Sequence, residues 1–237
     1  MTLHGTNAYV VGADPVYVID PGPAEPAHVE AVRRAAEERG GIAGVLLTHS
    51  HADHSAAVPL LGAPELWGDV SAEDESALPP GEDGRPLSGG RVGPFEVVPT
   101  PGHAADHVCF LFDGVGFCGD LILGEGSSIV LPGGDALTAY LQSLRRVREL
   151  GLDLLCPGHG PWITDPRAKI DEYLVHRIER EGRLVAALEE GERSRERLLA
   201  TVWDDVPEVL RPAAAVAMEA HLDKLDAEGR LPPDIRA

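Results

Sequence analysis

The segment Thr48-His49-Ser50-His51-Ala52-Asp53-His54 sets three imidazoles and a carboxylate within seven residues, directly after the apolar run Gly44-Val45-Leu46-Leu47. The run reads as a buried strand and Ser55 to Leu61 as the start of a helix, so the cluster is expected on a strand-to-helix turn. Side chains on such a turn leave the backbone in different directions. Imidazole and carboxylate are the ligands that zinc and similar divalent ions prefer. His49 and His51 are spaced to grip one ion, and Asp53 and His54 to reach a second beside it. With 10 His in 237 residues, three inside six positions is not a scatter that composition alone produces.

The chain on either side supplies more ends of the same kind. Ala8 to Val11 and Val16 to Ile19 are strand-like runs around the turn signal Gly12-Ala13-Asp14-Pro15, a hairpin that ends at Asp20-Pro21-Gly22. Ala27 to Arg39 carries Val29, Val32 and Ala36 at helical spacing and stops at Gly40-Gly41. Ile42 to Leu47 then completes a β-β-α-β order. Gly68 to Gly93, rich in Gly, Pro, Glu and Asp, reads as a surface excursion with a short hairpin near Leu87 to Val98. Phe95 to Val98 leads into Thr100-Pro101-Gly102-His103. Val108 to Phe112 and Val115 to Cys118, joined by Asp113-Gly114, run into Gly119-Asp120. After a helix from Ala136 to Leu150, Leu152 to Cys156 ends at Pro157-Gly158-His159-Gly160. Three more strands thus end in His103, Asp120 and His159, and the Pro-Gly before each histidine suits a tight turn with close backbone approach. Seven side chains, His49, His51, Asp53, His54, His103, Asp120 and His159, suffice for two metal sites that share one carboxylate.

Bulk properties bound the rest. Hydrophobic residues at 43% support a real core, and 237 residues suit one good-sized domain or one with a small appendage. No window approaches the roughly 20 apolar residues of a membrane-spanning helix, and Met1 to Tyr9 show no basic or apolar leader. The expectation is a cytoplasmic protein without a membrane partner. Cys109, Cys118 and Cys156 lie in or beside apolar runs and read as buried thiols rather than a disulfide framework. A net charge of −19 repels polyanions, which disfavours nucleic acid and favours a small-molecule substrate. After Pro166 the chain turns helical. Lys169 to Leu188 has apolar Ile170, Leu174, Ile178, Val185 and Leu188; Ser194 is a good N-cap for Arg195 to Trp203; Glu208 to Ala227 has Pro212 in its first turn. Residues 1–164 and 165–237 are expected to form two domains, the second with 12 basic and 17 acidic residues, net −5, against net −14 for the first.

These motifs, in this order, resemble the metallo-β-lactamase superfamily. Thr48 to His54 matches its T-H-x-H-x-D-H signature, followed by Thr100-Pro101-Gly102-His103, Gly119-Asp120 and Pro157-Gly158-His159-Gly160. The likeness covers roughly residues 5 to 165. Gly119 to Gly126, with Tyr173-Leu174-Val175-His176-Arg177 and His221 to Arg230 in the tail, is most similar to the β-lactamase-like-protein-2 group, whose members carry a small winged-helix-like C-terminal domain. The resemblance implies an α/β (α+β) fold: a four-layer αββα sandwich with metals at an open sheet edge, followed by a helical, winged-helix-like domain. It implies one ion on His49, His51 and His103, another on Asp53, His54 and His159, and Asp120 bridging. Two divalent ions, zinc by preference, would hold a bridging hydroxide. Asp53 and Asp120 are then the catalytic carboxylates, with Asp53 orienting the hydroxide.

Around the metals, Ser127 and Ser128 follow Gly124-Glu125-Gly126 and are candidate substrate contacts. So are His176 and Arg177, because the appended domain walls the site in this group and in glyoxalase II. His107 is expected to support a ligand by a hydrogen bond and Tyr140 to pack within its helix, while His4, His28 and His221 read as ordinary histidines. The favoured function is hydrolysis of a small thioester, ester or lactone. A single-stranded-RNA endonuclease is the alternative, for which Arg145, Arg146 and Arg148 on one helix would have to form a basic patch. A binding or regulatory role of the tail is the third reading. Net −5 suits DNA poorly, so packing or homodimerisation is the role expected of the tail.

Overall fold

The computed structural model describes residues 5–63 and 89–235. His4 and the expected excursion as far as residue 88, Leu87 included, lie outside them. A first sheet is formed by β1 (Tyr9–Val11), β2 (Val16–Ile19) and β3 (Ile42–Leu46), with β1 antiparallel and β3 parallel to β2. Helix α1 (Pro26–Glu37) makes the crossover that a parallel pair needs. The second sheet runs in order β4 (Gly90–Val92), β5 (Phe95–Pro99), β6 (Val108–Phe112), β7 (Val115–Gly119) and β8 (Leu154–Pro157). Its neighbours are antiparallel up to β7, and β8 returns parallel to β7 through α4 (Ala136–Glu149).

The strands read as near-continuous apolar runs because each sheet is covered on both faces. Val16, Val18 and Val45 face outward against Val29, Val32 and Ala36 of α1. Ile19 and Leu46 face inward and meet Val97, Phe110, Phe117 and Cys156 of the second sheet. The outer face of that sheet, Val98, Cys109, Cys118 and Leu155, packs under Leu137, Tyr140, Leu141 and Leu144 of α4. The layers are helix, sheet, sheet, helix, as expected. All three cysteines are buried and unpaired.

The helix expected from Ser55 is two short ones, α2 (Ala52–Ser55) and α3 (Val58–Leu61), so Asp53 and His54 sit on a helical turn rather than on a loop before it. Pro59 explains the break. It lacks an N–H and its ring would clash with the carbonyl one turn back, so it is accommodated in the first turn of a new helix.

The tail comprises α5 (Pro166–Glu189), α6 (Arg195–Val202), a 3-10 turn at Glu208–Leu210 and α7 (Arg211–Ala227). Asp165 caps α5 by accepting from the Ala168 N–H at 3.0 Å, and Ser194 caps α6. Leu184, Leu188, Trp203, Met218, Leu222 and Leu225 build a second core. Helix α5 belongs to both cores, since its Ile170 and Tyr173 lie in the first. The buried stripe of α5 differs from the expected one. It runs Ile170, Tyr173, Arg177, Arg180, Leu184, Leu188, and Ile178 is 55% exposed. Two arginines occupy positions where a pattern of hydrophobicity looks for aliphatic residues. Among the described residues no helix is long and apolar enough to cross a membrane.

Glu181 ties α5 to the end of the tail. Its carboxylate lies 2.9 Å from Lys224 Nζ, 3.2 Å from Arg230 Nη1 and 3.7 Å from His221 Nδ1. His221 and Lys224, against the opposing effect of partial burial, hold its carboxyl down to about 2, below the ordinary 4.5. A depressed carboxyl stabilises the fold fully above its unfolded value and loses that contribution as pH falls from 4.5 towards 2. Glu181→Gln is therefore expected to lower stability by about 1 kcal/mol at pH 7, allowing for solvent screening. The gap from wild type should close across that acid window, as read by urea unfolding followed through Trp203. A gap independent of pH would contradict the network.

Candidate metal centre

Five strand ends meet at one edge of the sandwich. The end of β2 supplies Asp20, β3 leads to the 48–54 turn, β5 to His103, β7 to Asp120 and β8 to His159. Asp20 organises the turn. Its Oδ1 accepts from the Thr48 N–H at 2.8 Å, and its Oδ2 accepts from Thr48 Oγ1 at 2.7 Å and from His54 Nδ1 at 3.0 Å. Asp106 adds a second hold, accepting from the Ser50 N–H at 2.9 Å.

The backs of the imidazoles determine what their fronts present. His54 Nδ1 gives its proton to Asp20. His103 Nδ1 donates to the Ile129 carbonyl and His159 Nδ1 to the Gly5 carbonyl, both at 2.8 Å. Thr48 Oγ1, having given its own proton to Asp20, accepts from His49 Nδ1 at 3.0 Å. In all four rings the Nδ1 proton points outward and Nε2 points inward, where a cation can take its lone pair. His51 is turned the other way: its Nδ1 lies 3.0 Å from His49 Nε2 and 3.1 Å from His103 Nε2. On the other side, His159 Nε2 is 3.3 Å from Asp53 Oδ2 and 3.4 Å from Asp120 Oδ2, and His54 Nε2 is 3.5 Å from Asp120 Oδ1. His103 Nε2 is 3.7 Å from Asp120 Oδ2.

All seven expected side chains are thus brought together. They form overlapping groups, His49/His51/His103, His49/His54/Asp120 and Asp53/His54/His159, each with donor atoms within 4.8 Å of one another. The donor set fits a cation. Three nitrogens converge with at most one proton to share, and His54 Nε2 and Asp120 Oδ1 are buried without a hydrogen-bond partner. Glycine makes room for this approach, since a Cβ at Gly158 would stand 2.5 Å from Asp120 Oδ1 and 2.6 Å from His54 Cε1.

Electrostatics agree with the packing. Burial, with neighbouring imidazoles, pushes His49 well below the ordinary histidine range. Burial opposes ionisation of Asp120, but the His159 and His54 imidazoles beside it outweigh burial and keep the group ionised. Burial would also lower His54, yet Asp20 and Asp120 lift it to about 10. His107 is fully buried and pushed down to about 3. Its Nδ1 pairs with Thr100 Oγ1 at 2.8 Å and its ring lies 5.2 Å from that of His49, in a supporting position.

A cavity of about 460 Å³ opens from this cluster. His51, Asp53, His103, Asp120 and His159 form one wall, and residues of the tail, including Arg180, Trp203, Leu210 and His221, form the other. The four expected substrate contacts, Ser127, Ser128, His176 and Arg177, all line it. Ser128 is buried and donates to the Asp120 carbonyl at 2.5 Å, while Ser127 and His176 are exposed on the rim. Tyr140 packs as expected, its hydroxyl donating to the Leu121 carbonyl at 2.7 Å. Sequence reasoning missed Asp20, Asp106 and His221. Asp20 was readable only as part of a strand-ending turn, and His221 falls on a helix face whose surroundings come from distant chain.

The family model described as the metallo-beta-lactamase superfamily matches residues 1–64 and 64–159, and the beta-lactamase associated winged helix domain matches residues 194–231. The chain is 39% identical over 211 residues to the lactamase-like protein adaB of Aspergillus niger, covering 85% of this chain but only 63% of that protein. It is 34% identical over 257 residues to the beta-lactamase-like protein 2 homolog of Drosophila melanogaster, covering 98% and 85%. An atrochrysone carboxyl ACP thioesterase of Aspergillus fumigatus is 33% identical, with 99% and 72% covered. Among solved structures, a metallo-beta-lactamase family protein of Thermus thermophilus superposes with a TM-score of 0.69 at 25% identity over 94% of this chain and 89% of that one. TTHA1623 in a di-iron-bound form gives a TM-score of 0.52 at 31% identity over 67% and 89%. By its matched motifs, its layered fold and these relatives, the chain belongs to the metallo-beta-lactamase superfamily and carries the winged helix domain associated with it.

Proposed function

We propose that the chain is a dinuclear metal-dependent hydrolase acting on a small thioester, ester or lactone. The observation that carries this reading is the convergence of bare imidazole nitrogens and two carboxylates on one wall of an otherwise largely apolar cavity. His49, His51 and His103 would hold one ion, and Asp53, His54 and His159 the other. Asp120 is placed to serve both, at 3.7 Å from His103 Nε2 and 3.4 Å from His159 Nε2. Zinc suits a set of imidazole and carboxylate without thiolate. The same donors suit iron, which a structural relative held, so elemental analysis decides the metal without altering the ligands.

When bound, such ions supply a more acidic water and a polarised carbonyl. The chain does the rest. Hydrogen bonds behind the rings hold the nitrogen lone pairs aimed inward. Asp53, with a side chain 32% exposed against 12% for Asp120, faces the cavity and is placed to take a proton from the attacking water. Apolar Leu123, Ile129 and Leu131 line the approach and limit bulk water. The named thioesterase among the relatives favours a thioester over the other acyl groups.

The ribonuclease alternative needed a basic patch on α4. Arg148 is taken up by Asp171 at 2.5 Å and Arg146 donates to the Pro99 carbonyl at 2.8 Å, leaving Arg145 to face solvent. The small-molecule reading is favoured accordingly. We place the division between the catalytic and tail domains at 164/165, just before the Asp165 cap. The buried free thiols fit a reducing, cytoplasmic setting.

Purified protein assayed against acyl thioesters and labelled single-stranded RNA, with and without chelator, tests the reading. Chelator-sensitive thioester cleavage is expected, and Asp120→Ala should lose metal together with more than about a hundredfold in kcat, beyond the usual cost of disturbing an outer partner. RNA cleavage without acyl hydrolysis would reverse it. Asp20→Asn should act one layer out. Deprived of its acceptor, His54 can carry its proton on Nε2, facing the metal, and affinity is expected to fall about 10–100-fold in a competition titration against a chromophoric chelator. Unchanged affinity would show that Asp20 does not fix the ring.

A further inference from the structure

Arg177 is a buried cation for which the described residues supply no counter-ion. Its side chain lies on the inner stripe of α5, only 4% exposed, and lines the cavity. It donates to the Ser128 carbonyl, lies 3.4 Å from Ser127 Oγ and sits over the Tyr140 ring at 5.4 Å. Its Nε–H has no hydrogen-bond partner, and among the described residues it has no carboxylate within ion-pair distance. Three other arginines of α5 and α6 differ. Arg180 binds Asp205 at 2.5 Å, Arg183 binds Asp204 at 2.7 Å and Arg195 binds Glu219 at 2.9 Å. Glu125 also lines the cavity, but it is exposed at the rim and makes no ion pair with Arg177.

A guanidinium stays charged at any accessible pH, and an unpaired buried charge costs several kcal/mol. His221 reinforces the point from α7. It is fully buried, lines the same cavity, and neither ring nitrogen has a hydrogen-bond partner, the Glu181 carboxylate being 3.7 Å away. Burial, together with the charge on Arg177, lowers His221, and the same holds for His176 at the rim. Near pH 7 the Arg177 guanidinium therefore stands uncompensated beside a neutral imidazole.

We propose that Arg177, with His221 beside it, receives a carboxylate borne by the acyl part of the substrate. This rests on the hydrolase reading and narrows it to acyl thioesters or esters with a second, free carboxyl group. A monoanion matches one guanidinium. A phosphate dianion would leave excess negative charge in a cavity that also faces Asp53 and Asp120. The spacer between the two acyl ends is short, because Arg177 grips Ser128, whose hydroxyl bonds the Asp120 carbonyl and lies 3.4 Å from His103 Nδ1. A succinyl or glutaryl group has the right form.

The test compares glutaryl and methyl-capped glutaryl thioesters of N-acetylcysteamine on the full, metal-loaded chain. Wild type should favour the free acid at least about tenfold in kcat/KM, mainly through KM, as a charge-assisted hydrogen bond allows. Arg177→Met should bring the ratio to about one, and Arg177→Lys should retain part of it. His221→Leu, which leaves the Ser128 contact in place, should lower it severalfold. A wild-type ratio of about one, or a ratio that survives both Arg177→Met and His221→Leu, overturns the proposal. A second readout needs no turnover: monomethyl glutarate and, separately, inorganic phosphate are titrated calorimetrically into the full chain after chelation. Monomethyl glutarate binding that weakens about tenfold in Arg177→Met supports the pocket. Phosphate binding more tightly, or no binding of monomethyl glutarate, overturns it. A chain that hydrolyses no thioester yet binds monomethyl glutarate through Arg177 sinks the hydrolase reading and leaves the carboxylate pocket standing.

Discussion

The centre depends on holding lone pairs face to face. His51 Nδ1 stands 3.0 Å from His49 Nε2 and 3.1 Å from His103 Nε2, a spacing that free imidazoles would relax by rotating a ring. Rotation is not open to His49, His54, His103 and His159, because each has its Nδ1 proton engaged on the far side by Thr48, Asp20, Ile129 or Gly5. Asp20 is the most connected of these holds. One carboxylate fixes the entry of the turn through the Thr48 N–H, sets the direction of the Thr48 hydroxyl and thereby the His49 tautomer, and fixes the His54 tautomer directly. Both of its oxygens are committed to donors inside the protein, at a position 2% exposed.

That arrangement requires rigid strand ends, and the sandwich supplies them. Because both faces of both sheets are buried, a slip in register by one residue would exchange inner and outer side chains throughout a strand. The strands cannot drift, and the loops at their ends inherit that precision. The β8 end is further tied by the start of the chain. Asn7 Nδ2 donates to the Pro157 and Gly160 carbonyls at 3.0 and 2.8 Å, and Tyr9 Oη donates to the Pro157 carbonyl at 2.7 Å. The residue that accepts from His159, Gly5, belongs to the same clasp.

The donor cluster, the strand order and the layered architecture were legible because each leaves a local trace: short continuous apolar runs, Pro-Gly turns and a dense His/Asp motif. Less legible was whatever depends on two segments meeting. Asp20 looks like any aspartate in an Asp-Pro-Gly turn until Thr48 and His54 arrive from 28 and 34 residues away. The helix limits around Asp53 differ from the single helix expected from Ser55, because Pro59 divides the segment into two short helices, the first starting at Ala52. Ile178 was assigned inward by its spacing. Hydrophobic spacing cannot recognise a stripe that passes through Arg177 and Arg180, since their burial follows from a cavity that only the assembled tail creates. His221, on α7, was passed over for want of that cavity too.

The tail is better understood as the second wall of the site than as an appendage. Helix α5 starts in the core beneath the second sheet and finishes in the core of the tail, so it cannot move without disturbing one or the other. Between those cores it presents guanidinium groups where leucines would have extended the apolar stripe, and long side chains of this kind can bury their stems while keeping a polar head at a gap. The consequence bears on what net charge can predict. A net charge of −19 repels extended polyanions. The interior wall has the opposite character, with Arg177, Arg180, His176 and His221 lining one cavity. On the proposed reading, a small acid that enters would leave the acidic surface behind and meet the Arg177 guanidinium, so net charge bears on large anions and the cavity lining on small ones.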